Sequence, residues 1–257
     1  MDRNQDTSGW AQVTRVLGAV LLSTVALGAA RFPDPAVDPK PPTTGPQTAV
    51  LAGGCFWGVE AVFERLNGVS TVVSGFAGGS KFTAHYEVVS TGTTGHAESV
   101  QITYDPAKIS YGTLLKVFFA VAHDPTELNR QGPDEGTQYR SSIFYSTPEQ
   151  KTTAEAYIRQ LDTAKIFPQR IVTKVVPLEG FYPAEAYHQH FLDQHPDYPY
   201  IVYNDLPKLD HLKKEFPELL KHASGTERPV EAGASGASVS ERPEGTAAKP
   251  RPRAPEK

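Results

Sequence analysis

The chain has 257 residues, of which 39% are hydrophobic and 21% charged, and 25 basic against 29 acidic side chains give a formal net charge of −4. This balance excludes the basic excess that indicates a nucleic-acid partner. A single cysteine, Cys55, excludes an intrachain disulfide and a cysteine-rich metal site.

The first thirty residues are typical of an export signal. Arg3 and Arg15 precede an apolar run at 16–30, which ends in the small residues Gly28-Ala29-Ala30. The run is shorter than the roughly 20 residues that a membrane-spanning helix needs. We therefore predict a signal peptide at 1–30 and a periplasmic location. An uncleaved N-terminal membrane anchor is the alternative.

Two further segments have compositions that do not favour a packed core. Residues 31–46 are rich in proline and predict an extended linker rather than packed structure. Residues 223–257 consist mainly of small, polar and proline residues, which predicts a disordered tail. The stretch between them, residues 47–222, predicts one folded domain.

Hydrophobic spacing predicts the elements of this domain in chain order. A buried strand at 48–52 ends at Gly53-Gly54, and helical spacing follows from Phe56 to Leu66. Later strands are predicted at 69–76, 98–104, 142–145 and 171–178, and later helices at 111–122, 148–163, 184–194 and 208–221, the last interrupted near Pro217. This order lacks a regular βαβ rhythm, so it predicts an α+β fold with helices packed on a mixed, largely antiparallel sheet.

A loop of about twenty residues separates the predicted helix at 111–122 from the predicted strand at 142–145. Unstructured loops of this length in compact domains are usually functional or disordered. Because this loop carries aromatic and charged residues, we expect it to be functional.

Cys55 lies between the Gly-Gly turn and the first predicted helix. Partial positive charge and free N–H groups at a helix N-terminus favour a thiolate, and glycine lets the backbone turn tightly before it. Taken alone, a buried and unreactive thiol is the alternative interpretation.

Glu98 begins an apolar strand, where a carboxyl group tends to stay protonated near neutral pH. Such a group can act as a general acid. A carboxylate at a strand end that faces water is the alternative. The run Gly132–Ser141, at the end of the long loop, is by itself only a polar turn with a buried tyrosine.

Together these segments resemble the A-type peptide methionine sulfoxide reductases. The matching runs occur in that family's order and are Gly53–Gly58, Gly75–Gly79, Thr94–Glu98, Gly136–Ser141 and Ala184–Gln189. The resemblance covers roughly residues 48–216. It implies a two-layer α+β core and reduction of the S epimer of methionine sulfoxide, free or in proteins, as repair of oxidative damage and without a cofactor.

The resemblance also implies roles for individual residues. The Cys55 thiolate would attack the sulfoxide sulfur and become a sulfenic acid, and Glu98 would donate a proton to the sulfoxide oxygen. Tyr86 and Tyr139 would hydrogen-bond that oxygen or the acid, and Asp134 would complete the polar network.

The substrate's S-methyl group would enter an apolar pocket. The resemblance assigns the wall of this pocket to Phe56 and Trp57.

The chain departs from the family pattern in its cysteines. Many members carry resolving cysteines near the C-terminus, but no cysteine follows Cys55, and Ser90 stands where some relatives have one. We therefore expect an external reductant, either a thioredoxin-like protein or a small thiol.

We predict no metal site. His188, His190 and His195 are close in sequence, but only the first and last share a helical face, and no nearby acid or cysteine completes a zinc set.

Two other functions stay open at this point. A thiol peroxidase would use Cys55 on peroxide, and a non-enzymatic redox-sensing or binding protein would use the same thiol once. The apolar Phe56-Trp57 wall and Glu98 argue against the first, and the complete set of candidate catalytic residues argues against the second.

Overall fold

A computed structural model describes residues 32–39 and 45–221 of the chain. The predicted signal or anchor at 1–30 and the predicted tail at 223–257 lie outside the described residues. Among the described residues, no helix is both long enough and apolar enough to cross a membrane.

The described part contains eight strands and six α-helices, joined by short 3-10 and π turns. The strands are β1 (Gln47–Ala52), β2 (Val69–Ala77), β3 (Ala97–Tyr104), β4 (Arg130–Gln131), β5 (Asp134–Glu135), β6 (Ser142–Tyr145), β7 (Lys174–Pro177) and β8 (Phe181–Pro183). The helices are α1 (Phe56–Glu64), α2 (Tyr86–Val89), α3 (Tyr111–Val117), α4 (Pro148–Thr163), α5 (Phe191–Gln194) and α6 (Leu206–Glu215).

Six of the strands form one sheet in the order β7-β6-β1-β3-β2-β8. Every neighbouring pair is antiparallel except β6 and β7, which run parallel. This arrangement confirms the predicted α+β fold with a mixed, largely antiparallel sheet.

The two faces of the sheet are covered differently, because alternate residues of a strand point to opposite sides. Leu51 of β1 belongs to the large core that also contains the buried side chains of α1, whereas Val50 belongs to a small cluster on the other face. On β3, Glu98 is paired with Phe76 of β2 and lies two residues before Val100 of the large core. The alternation therefore directs Glu98 toward the face that α1 covers.

The predicted helix at 184–194 is wrong. The chain instead forms a 3-10 turn at Ala186–His188 and the single-turn helix α5, separated by His190 in a left-handed conformation with φ 52°. The physical reason is a tertiary contact, because the His190 N–H donates to the Glu60 carboxylate of α1 at 3.0 Å.

The long loop before β6 is more ordered than its sequence predicts. It contains the two-stranded hairpin of β4 and β5 and a 3-10 turn at Thr137–Tyr139. The predicted C-terminal helix is also altered, because a π turn at Ile201–Asp205 leads into α6, and a 3-10 turn at Pro217–Leu219 follows it.

The proline-rich segment is not a free linker along its described part. Residues 32–39 form no helix or strand, yet they contact the domain. The Tyr157 hydroxyl of α4 donates to the Pro33 carbonyl at 2.6 Å, and the Gly112 N–H of α3 donates to Asp38 at 2.9 Å. These hydrogen bonds correct the expectation that the whole of 31–46 lies outside the packed structure.

Candidate active site

Cys55 occupies the N-cap position of α1, directly after β1. Gly54 before it has φ +87°, a region that favours glycine. A side chain at Gly54 would also collide with Gln131, whose Cβ lies 2.5 Å from the place of a Cβ atom. The Gly-Gly turn thus lets the long loop close over the start of the helix, and Cys55 is only 8% exposed.

Glu98 lies against the first turn of α1. The Phe56 N–H donates to Glu98 Oε2 at 3.1 Å, and the side chain is buried. Burial raises the pKa of Glu98 to about 8, although the Phe56 N–H lowers it. A pKa of about 8 favours the neutral carboxyl group at pH 7.

All seven predicted site residues line one narrow cleft. The structure adds an eighth residue that the sequence analysis did not single out, Tyr200. The lining residues are Cys55, Phe56, Trp57, Tyr86, Glu98, Asp134, Tyr139 and Tyr200.

Two contacts outside the cleft lining fix the Trp57 ring of the aromatic wall. The Trp57 ring stacks on Phe191 of α5 at 3.8 Å between centroids and 11° between planes. Its indole N–H donates to His188 Nδ1 at 3.2 Å, so this nitrogen is the acceptor and carries no proton. Burial lowers the pKa of His188 to about 4, which keeps the imidazole neutral at physiological pH.

The two predicted tyrosines remain hydroxyl donors. Burial raises the pKa of Tyr86 and of Tyr139, and the nearby Glu98 and Cys55 raise both further. A neutral phenol beside the neutral acid supplies a hydrogen-bond donor to any oxygen atom that enters the cleft.

Tyr200 lines the cleft beside Asp134. Its hydroxyl donates a short hydrogen bond to Asp134 Oδ2, so the two residues form the polar wall together. Burial raises the pKa of Asp134, whereas the Tyr200 hydroxyl lowers it. The only sequence signal for Tyr200 is an aromatic residue in the cysteine-free segment after His195.

Burial opposes the thiolate state that the helix N-terminus favours at Cys55. Burial raises the pKa of the Cys55 thiol well above its ordinary value, and the charges of Glu98, Asp205 and Asp134 raise it further. The Trp57 N–H lowers it, but desolvation outweighs the helix N-terminus. These surroundings therefore favour the neutral thiol over the thiolate.

The candidate histidines do not form the cluster that the sequence analysis considered. His190 lies instead near Glu60 and Glu64, and one ligand atom from each lies within 4.8 Å of the others. His190 Nδ1 is 2.6 Å from Glu64 Oε1, and its backbone N–H binds Glu60. These contacts fix α1 to the segment that carries His188.

Comparison with known proteins agrees with this geometry. The family profile described as "Peptide methionine sulfoxide reductase" matches residues 47–220. The chain belongs to this family. It is therefore an oxidoreductase that reduces methionine sulfoxide.

Individual methionine sulfoxide reductases support this assignment. "Peptide methionine sulfoxide reductase MsrA 2" of Mesorhizobium japonicum is 59% identical over 186 residues, which cover 72% of this chain and 93% of the relative. The MsrA of Thermus thermophilus is 51% identical over 175 residues, which cover 68% of this chain and 98% of the relative.

Solved methionine sulfoxide reductases share the fold. The methionine sulfoxide reductase A of Corynebacterium diphtheriae has a TM-score of 0.52 and 35% identity, and the match covers 65% of this chain and 87% of that one. Reduced Mxr1 of Saccharomyces cerevisiae has a TM-score of 0.54 and 32% identity, with coverage of 63% and 92%.

Proposed function

We propose that the reductase acts by attack of Cys55 sulfur on the sulfoxide sulfur. The thiol proton goes to solvent, a bond forms between the two sulfurs, and the sulfoxide oxygen takes a proton from Glu98. The S–O bond of the substrate and the new S–S bond then break as the hydroxyl group moves to Cys55, so methionine leaves and Cys55 becomes a sulfenic acid. Glu98 regains its proton from solvent. In this step methionine sulfoxide is reduced by two electrons and Cys55 is oxidised by two.

The observation that carries the proposal is one closed cleft that contains the only cysteine and a neutral carboxylic acid. A sulfoxide oxygen gains negative charge as its sulfur is attacked, so a proton donor beside it stabilises the transition state. Glu98 accepts the Phe56 N–H on Oε2, which leaves Oε1 to carry the proton.

The remaining walls match the other parts of the substrate. The S–O group is polar and suits the hydroxyls of Tyr86 and Tyr139, whereas the S-methyl group suits the Phe56 and Trp57 rings. These two kinds of wall would hold the oxygen and the methyl group in different places. We propose that the cleft accepts the S epimer of free or peptide-bound methionine sulfoxide, as the resemblance to the A-type reductases implies.

The cycle is completed by thiols from other molecules. With no second cysteine in the chain, the sulfenic acid condenses with an external thiol to a mixed disulfide and water. A second thiol then releases the Cys55 thiol and leaves as a disulfide. A thioredoxin-like protein or a small thiol would serve.

The decisive experiment is an assay on separated R and S epimers of methionine sulfoxide with dithiothreitol. We expect turnover of the S epimer only, and loss of turnover in Cys55→Ser with the fold retained. Equal rates on both epimers would contradict the proposed pocket. An active Cys55→Ser variant would contradict the mechanism, and turnover of peroxide in place of sulfoxide would favour a thiol peroxidase.

We also propose that the chain is exported. The basic residues Arg3 and Arg15 ahead of the apolar run at 16–30 support this proposal. N-terminal sequencing of the protein recovered from its native cell is expected to begin near Arg31 in the periplasmic fraction. Full-length chain in the membrane fraction would instead indicate an anchor.

A further inference from the structure

A buried ion pair lies beneath the start of α1 and has no part in the proposed chemistry. Asp205, the last residue of the π turn, is 0% exposed and accepts from Lys208 Nζ at 3.0 Å. Its other oxygen, Oδ2, has no hydrogen-bond partner among the residues that the structure describes. A buried carboxylate with one unpartnered oxygen is costly, so its retention needs a reason.

The Asp205–Lys208 pair fills the space that a side chain at Gly58 of α1 would need. A Cβ atom on Gly58 would lie 2.0 Å from Asp205 Oδ1 and 2.9 Å from Lys208 Nζ. The carboxylate therefore packs directly on the helix backbone three residues after Cys55. This contact explains why the run Gly53–Gly58 ends in glycine, because any larger residue would displace the ion pair.

The same segment connects this pair to the cleft. Tyr200, which binds Asp134, precedes the π turn, and Asp205 ends it. π turns are frequent at functional sites because the extra residue redirects the chain. Here the turn presents Tyr200 to the cleft and Asp205 to the underside of α1.

The charge of Asp205 reaches the reacting groups. Burial is the main cause that raises the pKa of Cys55, Glu98 and Asp134, and the charge of Asp205 raises each of them further. Burial also raises the pKa of Asp205, whereas Lys208 lowers it. The ionisable groups that face Cys55 from the surrounding elements are Glu98, Asp134, Asp205, Tyr86, Tyr139 and Tyr200.

We propose that Asp205, held by Lys208 against Gly58, is a positioning residue that fixes the first turn of α1 and supplies a fixed negative charge beneath Cys55 and Glu98. The negative charge of Asp205 opposes ionisation of the Cys55 thiol and helps to keep Glu98 protonated. This proposal rests on the proposed role of Cys55.

The test uses the fact that the chain has one cysteine. Thiolate absorbance in the ultraviolet then reports the ionisation of Cys55 alone, without any assay of turnover. The isosteric Asp205→Asn variant is expected to shift the Cys55 titration to lower pH, because it removes a negative charge and leaves Lys208 unpaired. The rate of a single turnover is expected to fall about tenfold as the first turn of α1 loses its support.

A matched control lies on the same helix. Asp210 and Lys213 form another i,i+3 pair at 3.3 Å, but both side chains are exposed. Asp210→Asn is expected to leave both the thiol titration and the single-turnover rate unchanged, because solvent screens this charge.

The double variant Asp205→Asn with Lys208→Met separates charge from packing. Because it also removes the unpaired cation, its Cys55 titration is expected to lie between that of the wild type and that of Asp205→Asn. Loosened packing alone would shift the double variant at least as far as the single one.

Two results would overturn the proposal: a Cys55 titration in Asp205→Asn equal to that in Asp210→Asn, or a double variant displaced further than the single variant. Failure of the proposed function is recognised separately, by turnover that survives Cys55→Ser.

Discussion

Two buried glutamic acids are similar in most local respects, although one packs against α1 and the other belongs to it. Glu98 packs on its first turn and Glu60 lies one turn further along. Each accepts one backbone N–H, from Phe56 at 3.1 Å and from His190 at 3.0 Å. Burial raises the pKa of each to about 8.

Their surroundings separate them. Glu98 shares a cleft with Cys55, whereas Glu60 lies among Glu64, His190 and Ser74 and lines no part of that cleft. A raised pKa therefore does not by itself identify a catalytic acid. What distinguishes Glu98 is its position beside the only thiol, in a space that a substrate can enter.

The largest expected effect is a difference in single-turnover rate between variants of Glu98 and Glu60. Glu98→Gln removes the proton donor and keeps its shape, so the rate of methionine release in a single turnover is expected to fall about 10²–10⁴-fold. Glu60→Gln is expected to keep that rate within about threefold, since Gln replaces an acid that is already neutral at pH 7.

Rapid-quench measurements without reductant test this pair of variants, because they exclude the regeneration step. Equal losses in the two variants would mean that Glu98 acts only as a buried structural group.

The pH dependence of the single-turnover rate should also distinguish Glu98 from Glu60. In the proposed mechanism the productive state needs ionised Cys55 and neutral Glu98, but burial raises the pKa of Cys55 well above its ordinary value and that of Glu98 only to about 8. The second-order rate of single turnover is expected to rise with pH up to about 8, because the pair must lose one proton, and to fall when both groups are ionised.

Glu98→Gln is expected to lose the rising limb near pH 8, whereas Glu60→Gln keeps it. A rising limb that persists in Glu98→Gln would assign that titration to another group.

A smaller effect is expected from the two tyrosines that point donors into the cleft. Tyr139→Phe and Tyr86→Phe each remove one hydroxyl while the other remains, so each is expected to slow single turnover about 10-fold to 10²-fold. The double variant tests whether they share one oxygen atom. In that case its loss is expected to exceed the product of the single losses, and simple multiplication would contradict a shared role.

The smallest effect is on stability, and here the two acids should behave alike. The pKa of such a carboxyl group is about 8 in the folded protein and ordinary in the unfolded chain. At any pH between these two values, the native state therefore holds one more proton than the unfolded state. The extra proton contributes most to the free energy of unfolding at low pH, and this contribution is lost as pH rises toward 8. The free energy of unfolding then falls by at most about 1.4 kcal/mol per pH unit for each such group. Glu60→Gln and Glu98→Gln are each expected to flatten the decline of unfolding free energy in this range.

Urea unfolding between pH 5 and pH 9, at intervals of about one unit, would measure the slopes. A slope in Glu60→Gln identical to that of the wild type would show that Glu60 is ionised in the folded protein.

The sheet and the candidate site were predictable where local pattern and final environment agree. β1, β3 and α4 follow their hydrophobic periods and caps, and the structure places all of them within one or two residues of the sequence prediction. The seven predicted site residues converge because the first turn of α1, α2, β3 and the loop before β6 all contribute to one cleft.

The sequence could not supply features that arise from tertiary contacts. Local reasoning assigned Cys55 a favoured thiolate because it opens a helix, but burial under the loop reverses the balance. Tyr200 and Asp205 lie in a segment whose π turn has no periodic signal, and their roles depend on what they meet in space. His190 interrupts a predicted helix for the same reason, because Glu60 captures its N–H.

In the proposed mechanism, Cys55 removes the sulfoxide oxygen and the chain cannot finish the cycle alone. Intact-mass analysis of the wild-type protein after incubation with methionine sulfoxide, without reductant, tests it most directly. We expect one methionine released for each chain, and a chain heavier by one oxygen atom at Cys55. Release of several methionines per chain, or a monomer lighter by two hydrogens, would contradict the account.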